Sequence, residues 1–380
     1  KDSVSYIFSI VYCYKKYGED FVKYLDGEFV IIIFDFNQNK IIITSDIFKT
    51  KPLFYEIGED IIISSYESAC MKIKKKDNYN QIQPNEILVF SLNKENNNRK
   101  LLSKKKIFEF NLLQYKSNYN DFIKSLENSI LKRYPEKEYP LVLLSSGLDS
   151  GVIACCLNKY KRKALYISII KNEDYTILKK RRKILGKENH YFINLNDNEK
   201  KNWSKIIKEY CEKFYFDWRK NINMIKIYEN NKNKLLTNGY ENSAMLGTCK
   251  IINKSKNINN NIKVICSGVG ADEIMSRNQF YSKGWGNVDI FPDNLSELYP
   301  WPNFFSNPMT NYLRAFEYIG GLFSYEIRYP FLDKNLVQEF LSLQPHLKNN
   351  YKNSIYKPPL LYYLDKENFP IYYKKVGFNV

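Results

Sequence analysis

The segment that most restricts this chain is Pro140-Leu-Val-Leu-Leu-Ser145-Ser146-Gly147-Leu148-Asp149-Ser150-Gly151. An apolar run of strand length ends in small residues, and these open onto a stretch that reads as a helix over Gly151–Tyr160. A buried strand, a small-residue turn and a helix form a geometry suited to phosphate. Backbone N–H groups at the helix N-terminus point outward, and the macrodipole favours an anion there. Ser145 and Ser150 add hydroxyl donors, and Gly147 permits a tight turn and a close backbone approach. Asp149 is an acid beside phosphates, which makes sense if a cation sits between them, and Mg²⁺ is the natural choice. The plain alternative is a connection in which Ser150 or Asp149 merely caps the helix. The Gly-Lys-Ser/Thr ending of a Walker A loop is absent.

The surrounding pattern supports an α/β frame. Short apolar runs at Pro140–Leu144, Ala164–Ile170, Tyr191–Leu195 and Lys263–Ser267 alternate with helical stretches at Asp121–Tyr134, Gly151–Tyr160 and Ile177–Leu185. Such alternation argues for a parallel, doubly wound sheet. From about 285 to 345 the chain is aromatic, helical in pattern and marked by prolines. The first third reads differently. A helix is expected over Val4–Leu25, then a hairpin of Phe29–Phe36 and Lys40–Ser45, with further strands at 60–65 and 86–91 and a polar, lysine-rich stretch over Asn93–Lys106. The expected domains are 1–111 and 112–380.

Composition excludes several classes. Of 380 residues, 44% are hydrophobic and 26% charged, which rules out wholesale disorder. The net charge of +17 suggests a polyanionic partner. Lys, Asn, Ile and Tyr are inflated together, however, and the charge is scattered, so an AT-rich genome explains it better and no nucleic-acid partner is expected. The basic run Lys179–Lys183 reads as the solvated face of a helix. Two histidines, His190 and His346, argue against a His-rich metal site or a Ser-His-Asp mechanism. Seven cysteines without C-x-x-C spacing fit neither a zinc ribbon nor a disulfide framework. They fit a reducing, cytoplasmic compartment. No apolar run approaches the roughly 20 residues of a membrane span, so no membrane partner is expected.

Four segments then converge on one resemblance. Ser145–Ser150 is similar to the SGGLDS loop of the PP-loop ATP pyrophosphatases, with Ser146 at a position usually held by glycine; a side chain there requires a negative φ. Cys266-Ser267-Gly268-Val269-Gly270-Ala271-Asp272-Glu273 resembles the SGEGADE segment of asparagine synthetases. Tyr325–Asp333 resembles their EVRVPFLD segment, and Lys374-Lys375-Val376-Gly377-Phe378 their K-x-G-F ending, with Lys357-Pro358-Pro359-Leu360 upstream. The order and spacing match the asparagine synthetase family, including its lactam-forming relatives, across residues 140–380. The implied fold is a doubly wound PP-loop synthetase domain, of the adenine nucleotide alpha hydrolase type, with a helical C-terminal part.

The resemblance implies a two-step reaction with ATP and Mg²⁺. A carboxylate, aspartate in the first instance, is adenylated with release of pyrophosphate, and ammonia then displaces AMP. It implies ATP binding by Leu143, Ser145, Ser146, Gly147, Asp149, Ser150, Ile169, Ser267 and Gly268, metal binding by Asp149 and Asp272, and Lys375 over the α-phosphate. Asp149, Asp272 and Lys375 are thus the implied catalytic set. Asp174 matches an acidic residue near the nucleotide, although it also suits a helix N-terminus. Arg328 reads as a structural brace, with Glu326 or Asp333 as its partner. Val269 departs from the family glutamate, which leaves open whether Glu241 or Glu273 substitutes, the acceptor differs or the activity is lost. The family is compatible with a homodimer.

Residues 1–111 carry a second resemblance. Leu25–Phe29 and Ser45–Tyr55 are similar to the LDGxFAF and DRxGxKPLYY stretches of class II glutaminase domains of Ntn-type α+β fold, with Ile47 and Lys49 replacing the usual Arg and Gly. Asp2 matches an acidic residue that binds glutamine. The family nucleophile is an N-terminal cysteine with a free α-amine, and the first residue here is Lys1. A missing start is the expectation, with free ammonia as the other source of nitrogen. The competing functions are an adenylating ligase with another acceptor, a PP-loop enzyme modifying tRNA, and a catalytically silent homologue.

Overall fold

A computed structural model describes residues 6–75, 79–95, 97–213, 215–217, 236–238, 243–276, 290–305 and 308–373. The chain divides into two compact units, residues 1–110 and 111–380.

The first unit opens with α1 (Tyr6–Tyr17) and a 3₁₀ turn (Gly18–Tyr24). The helix expected over Val4–Leu25 is therefore split. Gly18 takes a left-handed conformation, φ +57°, which ends the α-helix. Two antiparallel sheets follow. One contains β1 (Val30–Asp35) and β2 (Lys40–Ser45), the other β3 (Phe54–Ile57), β4 (Ile61–Ser64) and, after α2 (Glu67–Ile73), β5 (Asn80–Gln81). β6 (Glu86–Ser91) and β7 (Leu101–Lys106) return to the first, giving the orders β1-β2-β6-β7 and β4-β3-β5. Alternate residues Ile41 and Ile43 of β2 and Leu88 and Phe90 of β6 pack with Leu53 and Ile82, flanked by Tyr55, Ile57, Ile61 and Ile63 of the smaller sheet. The period of two thus places one face of each sheet in a shared core. β7, inside the polar, lysine-rich stretch, lies at a sheet edge, where its exposed lysines deter further strand pairing.

The second unit is built on a parallel sheet. Its strands are β8 (Leu141–Leu143), β9 (Leu165–Ile169), β10 (His190–Ile193), β13 (Val264–Cys266) and β14 (Glu326–Arg328). A separate antiparallel pair is formed by β11 (Tyr215–Asp217) and β12 (Leu236–Asn238). The described helices are α3 (Asn120–Leu131), α4 (Leu148–Lys159), α5 (Tyr175–Leu185), α6 (Asp197–Tyr210), α7 (Ser243–Ile258), α8 (Ala271–Met275), α9 (Pro302–Phe305), α10 (Pro308–Phe323), α11 (Lys334–Ser342), α12 (Pro345–Asn349) and α13 (Pro358–Lys366). The apolar runs of β8, β9 and β13 are buried apart from Leu143, as parallel strands are.

The strand order is β10-β9-β8-β13-β14. Counted along this sheet, that is 3-2-1-4-5. The direction of progression reverses between β8 and β13, and such a reversal opens a crevice at the carboxyl ends of the two strands. The alternation in the sequence anticipated the parallel sheet. It did not reveal β14, whose three residues are too few to register as a periodic run. α4 starts at Leu148, three residues before the expected helix.

Candidate functional site

The two loops at the reversal hold most of the residues the sequence singled out. Loop one follows β8 and runs into α4. Ser146 has no positive φ, so its side chain is tolerated as required, and Gly147 has an ordinary φ of −65°. The freedom of glycine at 147 is therefore not used. Space matters more, because a Cβ there would lie 3.1 Å from Ser145 Oγ. Ser145 N–H donates to Ser150 Oγ at 3.0 Å, the two hydroxyls lie 2.9 Å apart, and Gly147 N–H donates to Ser145 Oγ at 3.1 Å.

Loop two follows β13. Ser267 N–H donates to Arg328 O on the neighbouring strand, and Ser267 Oγ accepts from Val269 N–H at 3.3 Å. Gly268 passes directly against loop one, where a Cβ would sit 2.9 Å from Asp149 Cβ. Gly270 has φ +97°, and a Cβ there would strike Leu332 Cδ2 at 2.5 Å. Only glycine meets both demands. Glu273 is buried and turns back to accept from Gly270 N–H at 3.1 Å. Burial, then the charge of Asp272, pushes its pKa up to about 7.

The carboxylates of Asp149 and Asp272 converge on one group, Lys357. Its Nζ donates to Asp149 Oδ1 at 2.5 Å and lies 2.9 Å from Asp272 Oδ1. Lys357 is fully buried, whereas the two acids retain 23% and 31% of their side-chain exposure. The cation thus lies beneath a partly open pair of carboxylates. Burial pulls the lysine pKa down, and Asp149 and then Asp272 more than reverse this, leaving it above the ordinary value. Asp272 Oδ1 also accepts from Ser276 Oγ at 2.8 Å and Tyr356 OH at 3.1 Å. Lys357 is the N-cap of α13, with φ 46° and ψ 59°. A left-handed conformation costs a lysine about 1–2 kcal/mol. Pro358 and Pro359 follow in the first turn of α13, where a missing N–H costs no intrahelical bond.

Loop one is also braced from within. Arg181 is fully buried, although the run Lys179–Lys183 was expected to face solvent. The lysines at 179, 180 and 183 are exposed, but Arg181 lies three residues after Leu178 and four before Leu185, on the buried face of α5. Its guanidinium donates to Ser145 O at 2.5 Å, Gly147 O at 3.0 Å and twice to Pro370 O at 3.0 and 3.1 Å. Asp174 caps α5 by accepting from Ile177 N–H at 2.9 Å.

Leu143 and Ile169 lie at the ends of β8 and β9, half-buried and buried respectively. Arg328 pairs with Glu326 at 2.8 Å; Asp333 is taken by Arg133 at 3.0 Å and by Lys132, and caps α11. Asp2, Glu241 and Lys375, with the segment Lys374–Phe378, lie outside the described residues. The sequence reading missed Lys357 and Arg181 as site residues. The first had only a motif-flanking position, while the helical spacing of Leu178, Arg181 and Leu185 was a signal in plain view.

Comparison of the sequence with known proteins finds relatives. Residues 5–118 match the family described as a glutamine amidotransferase domain. A putative asparagine synthetase (glutamine-hydrolyzing) 1 of Methanocaldococcus jannaschii is 24% identical over 348 residues, covering 86% of this chain and 58% of the relative. Asparagine synthetase (glutamine-hydrolyzing) 1 of Arabidopsis thaliana is 24% identical over 89% of this chain and 54% of its own length. Asparagine synthetase (glutamine-hydrolyzing) 2 of Oryza sativa subsp. japonica is 23% identical over 89% and 53%. The chain spans about half the length of the curated relatives it matches. No helix among the described residues is long and apolar enough to cross a membrane.

Proposed function

We propose that this chain, which resembles the glutamine-hydrolyzing asparagine synthetases over most of its length, carries the ATP-dependent, amide-forming half of such a ligase. The observation that supports the reading is the meeting of Asp149 and Asp272, from two strand ends at the sheet reversal, on the buried Lys357. In this reading the second unit is a PP-loop synthetase domain and loop one receives the phosphates of ATP.

The donor set suits Mg²⁺. Mg²⁺ on a nucleotide takes one or two protein carboxylates and fills the rest of its shell with phosphate and water. Asp149 and Asp272 meet that need with partly exposed side chains. When bound, the ion supplies charge stabilisation for phosphate oxygens.

The remaining work falls to the chain. Adenylation forms a bond from a substrate carboxylate oxygen to the α-phosphorus and breaks the bond to pyrophosphate. Amide formation then joins the ammonia nitrogen to the acyl carbon and expels AMP. Negative charge collects on phosphate oxygens in both steps, so preorganised positive groups should contribute most. Lys357 supplies such a group on geometry, and Lys375 remains a candidate from sequence. Arg181 holds the carbonyls of Ser145 and Gly147 and so fixes the loop. Aspartate is the proposed acceptor, with ammonia from glutamine or from solution. A second reading, a related ligase with another carboxylate, draws support from Val269, because valine can neither accept a proton nor hydrogen-bond.

The test is pyrophosphate release from Mg·ATP with ammonia and a panel of carboxylates, aspartate among them. Asp149→Ala should lower it about a hundredfold or more. Wild-type turnover in that variant would sink the assignment. Asparagine as the product decides for the first reading, and turnover with another carboxylate alone decides for the second.

A further inference from the structure

Loop one binds an anion of the protein's own. Ser146 N–H donates to Glu173 Oε2 at 2.5 Å, and Ser146 Oγ donates to the same oxygen. The other two loop amides with assigned partners, those of Ser145 and Gly147, point to the hydroxyls of Ser150 and Ser145. Those acceptors are neutral and belong to the loop, whereas Glu173 is charged and comes from the connection between β9 and α5. The amides of this strand–turn–helix are the groups a polyphosphate would seek. We propose that Glu173 is an internal competitor for the phosphate loop, holding the Ser146 amide until a bound polyphosphate displaces it. This rests on the nucleotide-binding reading above and adds a regulation of that same site.

Three further observations support it. Glu173 is half-buried rather than sealed in the core, and burial disfavours its carboxylate against the pull of the Ser146 bonds, so release toward solvent recovers hydration. The neighbouring Asp174 caps α5 through its carboxylate, and its N–H donates to Ser146 Oγ at 3.2 Å, so the backbone beside residue 173 keeps its own contacts when the Glu173 side chain turns. Arg181 attracts Glu173 by charge, yet its hydrogen bonds go to the carbonyls of Ser145, Gly147 and Pro370. The carboxylate is therefore drawn toward the loop without being clamped by the guanidinium. The residue at 146 matters too. A glycine there would offer the carboxylate one donor, and the serine offers two. Ser146 and Glu173 thus form a matched pair, and a phosphate arriving at the same amide meets both an occupied donor and a like charge.

The experiment is calorimetric titration of inorganic pyrophosphate and of Mg·ATP into the full chain and the variants Glu173→Ala, Glu173→Gln and Ser146→Gly. Glu173→Ala should bind both about tenfold more tightly, since a charge-assisted hydrogen bond no longer has to be broken. Glu173→Gln should fall between it and wild type. Ser146→Gly should also tighten binding, by less. Because the glutamine variant keeps the shape of the side chain, it decides the matter if the alanine variant fails to fold. Equal or weaker binding in the Glu173 variants, with wild type binding well, would overturn the inference and leave the nucleotide reading standing, with Glu173 as a brace. Binding in the Glu173 variants but not in wild type would support both. Absence of binding in all four proteins would overturn both.

Discussion

Two regions of the molecule draw carboxylates wholly or partly out of water, and they satisfy them in opposite ways. In the first unit, Asp46 is buried just after β2. Its oxygens accept from Phe48 N–H at 3.0 Å, Thr50 N–H at 3.1 Å, Thr50 Oγ1 at 2.5 Å and Phe29 N–H at 3.3 Å. Most of these donors lie within four residues, and the result is a turn. The turn also carries Lys49 at φ 52°, a left-handed conformation to which glycine is better suited. In the second unit, Asp149 and Asp272 leave strand ends and are answered by one lysine, 208 residues beyond Asp149. A carboxylate satisfied by its neighbours organises a loop. Carboxylates that share a distant cation and stay partly exposed are equipped to receive something.

The strongest way to break that contrast is Lys357→Met. If the shared cation belongs to a working site, pyrophosphate release should fall about a thousandfold. Lys357→Arg should not restore it, because a planar fork cannot replace a compact ammonium between two acids. The methionine variant leaves two carboxylates facing each other, so added Mg²⁺ should raise its thermal midpoint more than that of wild type. Initial rates and melting curves with and without Mg²⁺ measure both effects. Activity within tenfold of wild type would reduce Lys357 to a structural tie.

Asp46→Ala tests the other side. Removing the carboxylate strands several buried donors, each costing about 1–3 kcal/mol. The first unit should lose about 3 kcal/mol in urea unfolding on the same grounds, while the affinity for Mg·ATP stays at its wild-type value. Burial pushes the Asp46 pKa up to about 6, against the pull of Thr50 and Phe48. A loss of nucleotide affinity in this variant would mean that Asp46 is more than a turn residue.

The same contrast explains what could be read from the sequence. Loop one was legible because strand, turn and helix are contiguous there, and the small residues 145–150 state the geometry locally. Asp272 was legible through its motif. Lys357 was not, since its role depends on a fold that returns the chain to the sheet reversal after more than 200 residues, in a backbone conformation no propensity favours. β14 was missed for a similar reason, as three residues become a strand only when β13 is present to pair with them. Arg181 was hidden by composition. Inside a basic run it reads as one more solvated charge, and only its spacing from Leu178 and Leu185 marks it as buried. Glu173 had no local signal, because its partner Ser146 lies 27 residues earlier.

The smallest expected effect is also the most discriminating. Gly151 lies within α4, where glycine costs about 1 kcal/mol relative to alanine. The structure gives a reason for it. A Cβ at 151 would sit 2.6 Å from Arg181 Nη2 and 2.9 Å from its Cζ. The end of an arginine usually yields easily, but this one is fully buried and held by bonds to Ser145, Gly147 and Pro370. Gly151→Ala therefore gains about 1 kcal/mol of helix propensity and loses roughly 2 kcal/mol by crowding a side chain that cannot move aside. The net is a destabilisation of about 1 kcal/mol, with weaker nucleotide binding as the loop carbonyls lose their donor. In an Arg181→Met background the crowding is relieved, because a flexible thioether can yield. The same alanine should then be neutral or stabilising. Urea midpoints for wild type, both single variants and the double variant close the cycle. Equal destabilisation by Gly151→Ala in the two backgrounds would show that the glycine serves something other than Arg181, and the brace beneath loop one would lose its sequence rationale.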